Sequence, residues 1–424
     1  MSQSCLDRVF IRVENNAGSV NLYYIAFSLY SFFHAFEMTN YDAVFGLEVD
    51  LISKVATVIC VALLLFKLTK QNYTKRSIKI VCTALAIGAA SFLVTGSWIV
   101  LSVALFVTAA QDVDVEKVMR VLLATSTLVL LLAVLGYCFG IIETVKMSRP
   151  GETFIRNSLG FFQVNAPALL IARISTACVL LWWKDRPITT SLFLLLSLVI
   201  LEMLVNSRTT EIYLAMLFFC VLSAHLTRRF QMSARACVLV LGSVLAVSVL
   251  SSLILMILFD PSNHLLMKIS QVLSHRLFSA WYAFCEIPLT LFGRGDIALP
   301  SVVWTGVDYA TGTVDNGWVL WLLYRGIVPT AMLIIGLIKV YVLHWKLHQA
   351  DMSLVLLTLS CAFFAFCESS ALSFDGNPLF LLMASAIYFD SSNRKVGSSN
   401  DSKSNSLHLV WPWPFVADGS AMHR

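Results

Sequence analysis

Ala236-Cys237-Val238-Leu239-Val240-Leu241-Gly242-Ser243-Val244-Leu245-Ala246-Val247-Ser248-Val249-Leu250-Ser251-Ser252-Leu253-Ile254-Leu255-Met256-Ile257-Leu258-Phe259 runs for 24 residues without a charge. Arg228, Arg229 and Arg235 precede it and Asp260 ends it. A helix needs about 20 apolar residues to cross a hydrocarbon core roughly 30 Å thick. The stretch is long enough and has no alternation of apolar and polar residues, so a helical span is expected and a barrel strand is not.

The same pattern recurs on both sides. Further spans are expected near 19–36, 50–67, 78–94, 96–111, 119–142, 164–183, 188–206, 209–226, 317–340, 352–368 and 372–390, with a tight hairpin about Gly96. Composition agrees: of 424 residues 58% are hydrophobic and 13% charged, with a mean hydropathy of +0.79. These values exclude an ordinary soluble domain. The fold class expected is an all-α polytopic membrane protein of about 12 transmembrane helices, with residues 1–390 as the helical domain. Residues 391–424 are Ser/Asn-rich apart from Trp411-Pro412-Trp413-Pro414 and read as a disordered cytoplasmic tail.

Asp7, Arg8, Arg12 and Glu14 precede the first apolar run, and no small-residue cleavage site follows it. The first helix is therefore expected to stay as an uncleaved anchor. Six of the ten cysteines (Cys60, Cys82, Cys138, Cys178, Cys220 and Cys361) lie inside apolar spans and read as buried small hydrophobes.

Loop charge sets an expected orientation. Lys67, Lys70, Lys75, Arg76 and Lys79 mark the second loop as cytoplasmic; Lys184 with Arg186, Arg228 with Arg229 and Arg235, and Arg394 with Lys395 and Lys403 mark others. The first loop holds Glu37, Asp42, Glu48 and Asp50 and no basic residue, so it is expected outside. An even number of spans then puts both termini in the cytoplasm. The net charge of +5 is explained by these loops and makes no case for nucleic acid.

Three segments fall on the outer face under this topology: 143–163, the turn Asn206-Ser207-Arg208-Thr209, and the long stretch 260–316. Within the last, Leu266, Ile269, Leu273 and Leu277 form one stripe over 264–278, as in a helix on the membrane surface or one packed on the loop. Arginine is usually avoided on this face, yet Arg156, Arg208, Arg276 and Arg294 all lie there. Guanidinium groups at that level suit an anionic lipid ligand such as a pyrophosphate. Arg208 also opens a helix, where unpaired amides and the dipole favour an anion. The bland alternative is snorkelling, or a salt bridge to Glu211 or Glu202.

Arg173 and Arg325 lie inside spans. A charge there costs at least about 2.5–3.5 kcal/mol, so both are expected to face the bundle interior, paired with carboxylates such as Glu202 or Glu286. Gly293-Arg294-Gly295-Asp296 permits tight turns near Arg294. Asp315, followed by Asn316, sits where the chain returns to the membrane and is open to two readings: a helix N-cap, or a carboxylate accepting a proton from a sugar hydroxyl.

The order of these pieces resembles bacterial polysaccharide polymerases of the Wzy type and the related O-antigen ligases. The similar pieces are Arg156-Asn157-Ser158-Leu159-Gly160-Phe161 leading to Asn165; Asn206-Ser207-Arg208-Thr209; Arg276 with Trp281 and Leu291-Phe292-Gly293-Arg294-Gly295; and Asp315-Asn316-Gly317-Trp318 through Gly326. They cover roughly residues 150–340. Many ligases have His-Asn where this chain has Asp315-Asn316, which favours polymerase over ligase.

The resemblance implies a GT-C-like fold and a glycosyltransferase of the cell envelope. Its substrate would be a polyprenyl-pyrophosphate-linked glycan at the outer face of the bacterial cytoplasmic membrane. Asp315, Arg208 and Arg276 would be catalytic, and Arg156, Arg294, Asn316, Arg325 and Asn165 would bind substrate. No cofactor or metal is expected, since arginines can neutralise a pyrophosphate leaving group. Membrane lipid is an expected partner, and a chain-length regulator and a flippase are open as others. Two alternatives stand beside polymerase: ligase-type transfer of glycan to an acceptor, and a transporter or flippase of an anionic lipid-linked sugar. The second should show two related halves, and no internal repeat is visible.

Overall fold

The computed structural model describes residues 3–45, 49–148, 154–226, 233–273, 275–295, 297, 299, 302–304, 307–309 and 314–389. The expected tail, with Trp411 and Trp413, lies outside the described residues, as do Glu48, Arg149, Glu152, Arg228, Arg229 and Asp296.

The chain is mostly helical. Its elements are α1 (Gln3–Phe36), α2 (Tyr41–Phe45), α3 (Val49–Thr69), α4 (Lys75–Thr95), α5 (Ile99–Thr108), α6 (Val115–Cys138), β1 (Lys146–Ser148), β2 (Ile155–Asn157), α7 (Ala166–Trp182), α8 (Pro187–Leu204), α9 (Arg208–Leu226), α10 (Ala234–Leu258), α11 (His264–Val272), α12 (Arg276–Glu286), β3 (Val302–Trp304), β4 (Val307–Tyr309), α13 (Gly317–Leu320), α14 (Ile327–Leu347), α15 (Met352–Leu359), α16 (Ala365–Cys367) and α17 (Leu382–Tyr388). Single π turns follow α13 (Trp321–Arg325) and α15 (Ser360–Phe364). The strands form two antiparallel pairs, β1 with β2 and β3 with β4.

Helix ends are set by local chemistry. Thr74 and Ser77 form a reciprocal capping box at the start of α4, and Gly96 closes it in the left-handed conformation. Asp114, Ser233 and Asp351 cap α6, α10 and α15 with side-chain oxygens.

Among the described residues six helices are long and apolar enough to cross a membrane: α3, α4, α6, α8, α10 and α14. Only 17% of the apolar window of α4 and 22% of that of α10 is buried. Leu93, Val247 and Leu258 are 80%, 65% and 68% exposed. Apolar surface on that scale requires a lipid solvent rather than water. Cys60, Cys178 and Cys361 are buried as expected, but Cys82 and Cys138 are exposed on such apolar flanks. An apolar span has a lipid face as well as a protein face, and sequence does not separate them.

The helical region comprises two compact units, Met1–Asn72 with Ala109–Arg229, and Tyr73–Thr108 with Phe230–Arg424. In the first, α7 is the central helix: it packs on α6, α8 and α9, and Ala166, Leu170 and Ala177 are fully or nearly fully buried. Helix α1 packs on α3 and α6. Lys67 is buried at the end of α3, where its ammonium donates to the carbonyls of Ala109 and Gln111 and lies over the Tyr23 ring.

In the second unit α10 packs on α12, α13, α14 and α15. The π turn at Ser360–Phe364 shifts the carbonyl ladder, and side chains take up the freed acceptors. Trp318 Nε1 donates to Cys361 O at 2.9 Å, and Ser248 Oγ donates to Ala362 O.

Three expected segments differ. The stripe over 264–278 is two helices, because His275 takes φ 63° between α11 and α12. Leu266, Leu273 and Leu277 join the Phe259–Phe278 cluster, while Ile269 is 41% exposed. The span 317–340 breaks at Gly326, whose φ of 97° no helix can continue, so the long helix starts at Ile327. The expected span 372–390 is not one helix over its described residues: a 3-10 turn ends at Leu372, a second runs Pro378–Leu381 and α17 follows, with Gly376 between the two turns.

The break at Gly326 depends on a close approach of two backbones. A Cβ on Gly293 would lie 2.1 Å from Tyr324 O, and one on Gly326 would lie 2.3 Å from Gly293 N. Gly293→Ala should therefore cost at least about 1–3 kcal/mol from the strained backbone, read as a lower melting temperature in detergent. Gly18→Ala, with open space around it, should leave melting unchanged or slightly raised. Equal melting of the two variants would show that the break does not need this contact.

Candidate functional site

Each unit holds polar side chains of the kind expected from sequence. In the first, Asn157-Ser158-Leu159-Gly160 forms a structured turn. Val145 N donates to Ser158 Oγ at 2.8 Å, Ser158 Oγ donates to Phe161 O at 2.6 Å, and Leu159 N donates to Asn157 Oδ1 at 2.8 Å. Asn40 ties this turn to the end of α1, its Nδ2 donating to Glu143 O and its N to Gly160 O. The segment 143–163 is thus packed structure over its described residues.

Arg156 lies on β2, opposite Met147, and is 6% exposed. Its Nε donates to Val205 O at 2.9 Å and its Nη2 donates to Asn165 Oδ1. Val205 follows the last turn of α8, where carbonyls lack helical partners and a cation is favoured. Arg156 therefore clamps the hairpin to the α8–α9 turn, and Asn165 serves the same clamp.

That turn is built tightly. Asn206 takes φ 49°, a conformation its short polar side chain tolerates. Ser207, Thr209 and Thr210 are buried, whereas Arg208, the first residue of α9, is exposed. An exposed guanidinium thus sits at a helix start, the positive end of the helix dipole. Arg173 is buried inside α7, as expected. Glu202, one carboxylate expected to pair with the buried arginines, is exposed on α8.

In the second unit the central feature is Arg276, the first residue of α12. Its Nε lies 3.4 Å from Asp315 Oδ2 and its Nη2 lies 3.0 Å from Glu368 Oε1. The Arg276 and Glu368 side chains are 13% and 9% exposed, while Asp315 keeps 42% of its side-chain surface open. One guanidinium faces two carboxylates. Burial raises the Asp315 carboxyl above its ordinary value, and the Arg276 charge opposes that shift without cancelling it.

The N-cap reading of Asp315 is displaced by its neighbour. Asn316 Oδ1 accepts from Trp318 N at 3.0 Å and Val319 N at 3.1 Å, capping α13, and Asn316 Nδ2 donates to Ser252 Oγ at 3.2 Å. Asn316 is 4% exposed with its amide engaged at both ends. Asp315 is left with an open carboxylate.

The backbone at Arg294 meets the turn that precedes Arg325. Arg294 N and Gly295 N donate to Tyr324 O at 3.1 and 3.2 Å, while Ile327 N and Val328 N donate to Thr290 O and Leu291 O at 3.0 Å each. The Arg294 side chain is exposed on this rigid turn; Arg325 is buried at 2%. Glu286, the carboxylate expected near Arg325, is exposed at the end of α12.

Sequence reasoning missed Glu368. It ends an apolar run, and the signal was present: a lone carboxylate followed by Ser369, Ser370, Asp375 and Asn377 in an otherwise apolar region. Intramembrane ionisable groups are costly and mark sites.

No family model, curated protein or solved structure matches this chain.

Breaking a buried ion pair from one side leaves an uncompensated charge, at about 3–5 kcal/mol. Arg276→Ala should destabilise the protein on that scale. Adding Glu368→Gln should return at least about 1 kcal/mol of the loss. Strict additivity of the two substitutions in thermal melts would mean that the ion pair is not coupled to stability.

Proposed function

We propose that this chain is a membrane glycosyltransferase that joins polyprenyl-pyrophosphate-linked oligosaccharide repeat units at the outer face of the bacterial cytoplasmic membrane. It would act as a polymerase of the type its motifs resemble. The proposed topology has about twelve crossings, both termini in the cytoplasm and 260–316 outside. The loop charges support it, with Glu37, Asp42 and Asp50 on one side and Lys70, Lys75, Arg76 and Lys79 on the other.

The observation that carries the reading is Asp315: a carboxylate pushed above its ordinary pKa, still open on one side and oriented by Arg276. An ordinary aspartate near pKa 3.9 is a weak base; a raised one accepts a hydroxyl proton more readily. In the proposed step the acceptor hydroxyl attacks the anomeric carbon, its proton passes to Asp315, and a new C–O bond forms. The bond to the pyrophosphate breaks on the opposite face, and its electron pair leaves on a phosphate oxygen. Arg294, the exposed guanidinium in the same unit as Asp315, suits neutralisation of that leaving group; in the first unit, taken by itself, exposed Arg208 at its helix start is of the kind that binds phosphate. Arg276 becomes a positioning residue, since both its sides face carboxylates. Arg156 and Asn165 support the Arg208 turn.

Deletion of the gene, followed by analysis of surface glycan length, tests the reading. The polymerase predicts single repeat units in the deletion strain and in Arg208→Ala. Lipid-linked polymer would indicate a ligase, inward-facing intermediates a flippase, and wild-type chain length would overturn the proposal.

Asp315→Asn should lower the transfer rate by about 10²–10⁴-fold. Because the Asp315 pKa is raised, the wild-type rate should fall with decreasing pH before the ordinary carboxylate range is reached. Transfer assays across pH should find that acid limb absent in Asp315→Asn. An identical limb in the variant would assign the titration to another group.

A further inference from the structure

The second unit contains a groove of about 500 Å³ that the proposed transfer does not use. Helices α4, α5, α14 and α17 line it with apolar side chains, among them Val107, Ile335 and Ile387. That volume is within the range of small-molecule sites. Two of its lining residues are charged, Lys79 and Lys339. Both are exposed, and among the described residues neither makes a hydrogen bond or an ion pair.

The two lysines share one end of the groove. The far end of α4 is marked by Thr95, which lies against Gly295, and Gly293 in turn meets Gly326 at the start of α14. Lys79 is 16 residues before Thr95 and Lys339 is 12 after Ile327. At 1.5 Å per residue the lysines are about 18–24 Å from the turn that carries Arg294. Across a hydrocarbon core of roughly 30 Å, that places them toward the opposite leaflet. A ligand whose charge sits on the lysines is distinct from one whose charge sits at Arg294.

An apolar slot with an ammonium pair at its membrane-surface end complements an acyl chain with an anionic head. Basic pockets between transmembrane helices bind anionic lipid headgroups on this principle. We propose that the groove is a binding site for an anionic glycerophospholipid, with an acyl chain between α4, α5, α14 and α17 and the phosphate on Lys79 and Lys339. The site does not depend on the transfer reaction.

Native mass spectrometry of the full-length, detergent-purified protein with equal phosphatidylglycerol and phosphatidylcholine tests this. Wild type should retain phosphatidylglycerol preferentially. Lys79→Gln and Lys339→Gln should each reduce that retention about fivefold, and the double variant about thirtyfold, with phosphatidylcholine unaffected. Ala331→Trp, which fills the slot and spares both lysines, should also lose retention. Both lysines are exposed, so melting without added lipid should be unchanged and should separate lost binding from lost fold. Equal retention of the two lipids by wild type would overturn the site as ordinary lipid contact. So would an undiminished preference in the double variant, or preferential retention of a polyprenyl phosphate over phosphatidylglycerol.

Discussion

A charge held among apolar helices must meet an opposite charge or a set of hydrogen bonds, because no water is there to do it. Arg276 meets that demand with two carboxylates from distant parts of the chain, Asp315 and Glu368. The pairing ties the start of α12, the segment before α13 and the end of α16 to one point. Asp315 is the more open of the two acids; burial raises its carboxyl, and the Arg276 charge beside it opposes the rise.

The first unit answers the same demand differently. Arg156 is more deeply buried than Arg276 but faces a backbone carbonyl and an amide side chain. Its charge is spent at the carboxyl end of α8, where the helix dipole welcomes it. Arg208, one turn of chain away from the carbonyl that Arg156 holds, is exposed. Two arginines with similar sequence surroundings thus have different work: one fastens the turn and the other is presented by it.

Backbone irregularity in the second unit has a common cause. The π turns at Trp321–Arg325 and Ser360–Phe364, and the break at Gly326, interrupt helices in an apolar setting. Each interruption releases carbonyls or amides that must be satisfied locally. Trp318, Ser248, Thr290 and Leu291 provide the partners. The interruptions all follow Asp315 in sequence, and these local partners take up the backbone groups they release.

Hydropathy alone determined the class: uncharged runs such as 236–259 must be helices, because backbone groups in hydrocarbon have to pair within their own segment. The positions of Arg156, Arg208, Arg276, Arg294 and Asp315 as noteworthy polar residues were legible for the same reason. Their roles were not. Whether Asp315 or Asn316 caps α13 turns on one dihedral and two hydrogen bonds, and an Asp-Asn pair fits either assignment. Glu368 was hidden because its partner lies 92 residues away in sequence. The break at Gly326 was read through, since hydropathy continues smoothly across it. Composition reports which solvent a segment prefers, a sum over many residues. Tertiary structure decides which single atoms meet, and a pairing energy of a few kcal/mol depends on ångströms that no local pattern encodes.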